Sequence, residues 1–76
     1  MSDVNEIRAL KASLRGAIDT AQALAVIQQK IEALDDHAEP EAALLEELAR
    51  VSLGHAVASH ALRGIVDTML KRREAA

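Results

Sequence analysis

Hydrophobic residues recur along this chain at intervals of three and four. In the first half they fall at Val4, Ile7, Leu10, Leu14, Ala17, Ala21, Leu24, Ile27, Ile31 and Leu34. In the second half the series is Leu44, Leu48, Val51, His55, Ala58, Leu62, Ile65 and Met69, with a histidine in one apolar place. Such steps return to one side of an α-helix, as along a coiled-coil seam. Between the two series stands Asp35-Asp36-His37-Ala38-Glu39-Pro40, where two aspartates and a proline disfavour a helix interior. Pro40 suits the first position of a new helix. Glu41, Glu46 and Glu47 suit the dipole at its start, and Lys71, Arg72 and Arg73 suit its end. The pattern predicts an all-α fold: one domain over residues 1–76, with a helix over about 3–34, a loop over about 35–39 and a helix over about 40–72.

A short loop makes the two helices antiparallel, so facing positions have a nearly constant sum. The expected pairs are Leu34 with Leu44, Ile31 with Leu48, Ile27 with Val51 and Leu24 with His55. Continuing, Ala21 meets Ala58, Ala17 meets Leu62, Leu14 meets Ile65, and Leu10 meets Met69. The Ala21–Ala58 pair would be the point of closest approach. The expected architecture is a coiled-coil-like two-helix antiparallel hairpin.

Composition strengthens that reading. Half the residues are hydrophobic, none is aromatic, none is cysteine, and glycine and proline are scarce. Strands favour aromatic and β-branched residues with frequent turns, so an all-β fold is disfavoured. A disulfide framework and a thiolate zinc site are excluded outright. A net charge of −3 argues against general nucleic-acid binding, and no aromatic platform is available for base stacking. No stretch is long and apolar enough to span a bilayer, and the opening MSDVNEIR lacks the apolar run of a signal peptide. The expectation is a soluble cytoplasmic protein with no membrane insertion.

One seam between two helices is a thin core. Below about 70–80 residues a single core rarely supplies more than about 3–5 kcal/mol, and small proteins usually add a staple or a partner. Completion by a partner or by dimerisation into a four-helix bundle is expected. The second helix carries a further stripe, Gly54, Val57, Ala61, Gly64 and Thr68, with Leu53 beside it. At 100° per residue this stripe is expected roughly opposite the leucine seam. Small residues there would let a helix approach closely. An alanine-rich solvent face is the alternative, although two helix-interior glycines count against it. The candidate partner-binding residues are therefore Leu53, Gly54, Val57, Ala61, Gly64 and Thr68, and the partner is a helical protein or a second copy of the chain.

The chemistry-bearing candidates are the three histidines. His55 and His60 are five apart on one helix and diverge by about 140°, so they do not share a metal. His37 sits in an acidic loop that reads as solvated, and His55 on the seam reads as a packing residue. Ser2, Ser13 and Ser52 lack a base on the same face, Ser59 points away from His60, and no glycine-rich phosphate loop is present. No cofactor, metal or small-molecule substrate is expected.

His60-Ala61-Leu62-Arg63-Gly64 differs from the other histidine contexts. His60 lies off the seam, Gly64 one turn on would clear space beside the imidazole, and Arg63 would hold a phosphoryl group. These residues resemble the phosphoryl-accepting helix of histidine phosphotransfer domains. That resemblance implies His60 as phosphoryl acceptor, supported by Arg63 and Gly64, within a dimer that supplies four helices. Ile65 and Val66 depart from the small residues of that motif. Ser59-His60-Ala61-Leu62-Arg63 also resembles the His-box of sensor kinases.

The whole-chain outline is a charged amphipathic helix, an acidic proline-containing loop, and a more apolar helix rich in small residues. Over roughly residues 7–70 it is similar to the small E-type co-chaperones of type III secretion needle subunits. Ser52-Leu53-Gly54-His55-Ala56-Val57-Ala58 carries the closest local likeness, while Ala43, Leu44 and Leu45 stand where members often have aromatics. That resemblance implies a non-enzymatic cytoplasmic hairpin that pairs with a helical-repeat chaperone.

Overall fold

Two long helices account for most of the chain. The computed structural model describes residues 4–75, with α1 at Val4–Glu32 and α2 at Ala42–Ala75. The two pack antiparallel in a slab of 57 × 20 × 15 Å. A hairpin of two helices is thus the architecture. The expected helix start at Asp3 lies outside the described residues.

The connection covers residues 33–41, wider than the expected 35–39. At the end of α1 the Leu34 N–H bonds the Ile31 carbonyl at 3.0 Å, a tightened three-residue step that ends the α-helix early. Asp35 then organises the turn. Its carboxylate accepts the His37 N–H at 3.2 Å, and its carbonyl accepts the Ala38 N–H at 2.9 Å. At the start of α2 the N–H groups of Leu44 and Leu45 both reach the Glu41 carbonyl, at 3.0 and 3.2 Å. Glu41 is therefore the capping position and Ala42 the first helical residue. Pro40 sits one residue before the cap, not at the first helical position, because its fixed φ also suits the extended entry to a helix.

The α2 seam follows the sequence pattern. Leu44, Leu48, Val51, His55, Ala58, Leu62, Ile65 and Met69 are all partly covered. The α1 seam differs in its N-terminal and middle parts. Leu10, Ser13, Ala17, Thr20, Leu24, Ile27, Ile31 and Leu34 face α2, stepping by strictly alternating threes and fours. Leu14 is 46% exposed, and Val4 and Ala21 are exposed as well. An unbroken heptad keeps one edge of a supercoiled helix on its partner, and two consecutive steps of three rotate off that edge. Ser13 and Thr20 are therefore drawn inward at the expense of the more apolar Leu14 and Ala21.

The register shifts correspondingly, by about one helical turn at mid-length. His55 meets Thr20, not Leu24, with Thr20 Oγ1 2.8 Å from His55 Nδ1. Ala58 meets Gly16, not Ala21: a Cβ built on Gly16 would lie 3.7 Å from the Ala58 Cβ. A Cβ on Gly54 would lie 3.8 Å from the Thr20 methyl. The close approach of the helices thus occurs at Gly16, where no side chain intervenes. At the open end the Arg72 guanidinium grips both carboxylate oxygens of Glu6, at 2.6 and 2.9 Å.

Little of this surface leaves water. Ile27, at 1% exposure, is the single fully buried side chain among the described residues.

Candidate interaction surface

The seam divides the hairpin into two broad faces, and the residue spacing decides what each carries. On α2, Gly54, Ala61 and Thr68 lie immediately to one side of the seam, with Val57 and Gly64 one step further round. At 100° per residue the stripe stands about 115° from the seam, on its flank and not opposite it. Contacts agree with that placement. Gly54 adjoins Thr20 of α1, and Ala61, Gly64 and Thr68 line an open groove with Glu6 and Ala9. Val57 stands out from this side at 62% exposure, whereas Leu53, on the same helical row as His60, points away from α1 at 68% exposure. All six candidate partner-binding residues are exposed. Gly64 has no atom within 4 Å of its Cβ position, so the groove is open above it. Thr68 spends its hydroxyl proton on the Gly64 carbonyl at 2.9 Å, which leaves its methyl to the groove.

The other broad face is more strongly aliphatic. Leu14 and Ile18 of α1 lie there with Leu45, Val66 and Leu70 of α2, all exposed. Sequence reasoning missed this surface. It had placed Leu14 in the seam and left Ile18 out of every pattern. The signal was present in the two stripes that remain once the strict heptad is assigned.

The histidines occupy three unrelated settings. His37 is exposed in the loop. His60 is exposed on the side of α2 remote from α1, and its neighbour Arg63 pairs loosely with Asp67 at 3.8 Å. His55 is held on the seam. The Thr20 hydroxyl donates its one proton to the Gly16 carbonyl at 2.8 Å, with the Ala17 carbonyl at 3.1 Å as a second arm. With that proton on a carbonyl, its oxygen lies 2.8 Å from His55 Nδ1 and accepts from the tautomer protonated there. The remaining nitrogen, Nε2, faces the Ser59 hydroxyl at 3.5 Å. Ser59 thus turns back to His55, away from its chain neighbour His60. That separation exceeds the reach of a nucleophile poised on its base, and the imidazole is oriented by a hydroxyl in place of a carboxylate.

Among the described residues no group of three His, Asp or Glu side chains is placed to hold a metal ion. No helix among them is long and apolar enough to cross a membrane. The chain matches no protein-family profile, no curated protein and no solved structure. The hairpin outline behind the co-chaperone resemblance is present, and no family is identified.

Proposed function

We propose that this hairpin is a non-enzymatic protein–protein interaction module that binds a helical partner along the flank carrying Leu53, Gly54, Val57, Ala61, Gly64 and Thr68. The observation that carries the reading is the imbalance between composition and burial. Half the residues are hydrophobic, yet among the described residues one side chain is fully buried and large aliphatic groups stand in water. A groove floored by glycine and alanine accepts a helix closely, and Val57 beside it, with Leu53 further round α2, offers exposed apolar anchors. Within this reading, the specific role that fits the outline is a cytoplasmic co-chaperone of a type III secretion needle subunit. The test is co-purification of the tagged chain from its native host, with the partner identified by mass spectrometry. Ala61→Glu and Gly64→Glu should abolish the complex, because each buries a carboxylate with no cation opposite. Retention of the complex by both variants would refute the proposed surface.

One observation favours a second reading, a dimeric histidine phosphotransfer protein. His60 is exposed, and the Cβ position of Gly64, one turn along, is open to an approaching domain. The discriminating measurement is phosphoryl transfer from a phosphorylated receiver domain. Acid-labile label on the wild type, absent from His60→Ala, would establish the second reading and displace the first.

A further inference from the structure

We infer that the aliphatic face opposite the groove is covered by a second copy of this chain, laid antiparallel, to form a four-helix bundle. The inference extends the interaction reading and rests on it only in assigning the groove to a different partner. Area sets the requirement. A compact 8.1 kDa protein exposes about 4,500 Å², whereas this chain exposes 6146 Å². Covering one 57 × 20 Å face on each of two copies would remove on the order of 2,300 Å² from water. That is an interface of the size obligate homodimers use.

The distribution of side-chain size on the face selects the orientation. Its open half carries Leu14, Ile18, Val66 and Leu70 with Lys11 and Arg63 among them, and its loop half carries the small Ala21, Ala25, Ala49, Ser52 and Ala56, with Gln28, Glu32 and Leu45 toward the turn. A two-fold axis across the slab at mid-length sets the bulky half of each copy on the small half of the other. It stacks α1 on α1 and α2 on α2. Ile18 then meets Ala21 of the second copy, Leu14 meets its Ala25, and Leu45 enters between its Val66 and Leu70. An axis along the slab would instead crowd the bulky ends together and leave the alanine halves under-filled.

Charge selects the same orientation. Residues 28–50, around the loop, carry a net charge of −5, and residues 4–27 and 51–75, toward the open end, carry +3. Antiparallel pairing lays each basic end along an acidic one. Parallel pairing would oppose cation to cation and carboxylate to carboxylate.

The experiment uses the purified chain alone, so it reads self-association independently of any other partner. Sedimentation equilibrium should give twice the 8.1 kDa chain mass. Because the chain has no cysteine, introduced pairs report geometry directly. The double variant Leu45→Cys/Leu70→Cys should oxidise to a disulfide-linked dimer, and Leu70→Cys alone should not. Ile18→Glu with Val66→Glu should halve the mass or unfold the chain. A folded 8.1 kDa monomer, a larger assembly, ready self-linkage of Leu70→Cys, or no linkage in the double variant would each overturn the inference. If the monomer still captures a partner through the groove, the interaction reading survives that failure. If the dimer forms but nothing else binds, only the groove assignment falls.

Discussion

Thr20 Oγ1 and His55 Nδ1 lie 2.8 Å apart on the inner edges of the two helices, and this contact joins residues 35 apart in the chain. Removing the hydroxyl would leave His55 Nδ1 facing a half-covered seam without its hydrogen-bond partner. Thr20→Val keeps the shape and should cost about 1–2 kcal/mol in urea unfolding. Thr20→Val combined with His55→Leu should recover much of that loss, because two apolar groups leave no unpaired donor. Strict additivity of the two single substitutions would show that the residues do not interact.

The same contact explains which parts of the hairpin were legible in the sequence. On α2 every heptad position from Leu44 to Met69 is apolar or histidine, so the series and the seam coincide. On α1 the true seam includes Ser13 and Thr20, and more hydrophobic neighbours, Leu14 and Ala21, stand one place away. Hydrophobicity alone selects those neighbours. Only the cross-helix partner, His55, supplies a reason for a hydroxyl at position 20, and that pairing is invisible along a single chain. The exposed residues of the groove followed from their spacing. Their flank position did not, because it depends on the α1 residues beside them, Glu6, Ala9 and Thr20.

Register has a direct chemical test. The 3.7 Å between a Cβ on Gly16 and the Cβ of Ala58 is close to disulfide spacing. Gly16→Cys with Ala58→Cys should therefore close within one chain and raise stability by about 4 kcal/mol under the chain-entropy account. Ala21→Cys with Ala58→Cys should stay reduced within the chain, since Ala21 turns outward. Closure of the second pair in preference to the first would restore the register expected from the hydrophobic pattern.

Among the described residues Ile27 is the one side chain removed almost wholly from water. Ile27→Ala should cost about 2–5 kcal/mol, and Ile27→Val about 0.5–1.5 kcal/mol, measured by thermal or urea unfolding. A cost below about 0.5 kcal/mol for Ile27→Ala would mean that the loop end of the hairpin opens in solution.

Gly64 separates folding from binding. Its Cβ position touches nothing within 4 Å, so the hairpin itself has no steric need for glycine there. In a helix interior glycine is less favourable than alanine by about 0.8–1 kcal/mol. Gly64→Ala should therefore stabilise the chain by up to about that amount, read as a shift in the unfolding midpoint. Gly64→Glu should fold as well, because a glutamate on an open helical face meets no neighbour. The two variants are expected to diverge only when a helix seats in the groove. There a methyl fits beside Ala61 with a modest loss, while a carboxylate would have to leave water beside Glu6, which already lines the groove with negative charge held by Arg72. Helical content equal to wild type for Gly64→Glu, with partner capture lost, is the expected pair of results. Unchanged capture by a folded Gly64→Glu would instead mean that the groove stays in water and that its glycine has no role in recognition.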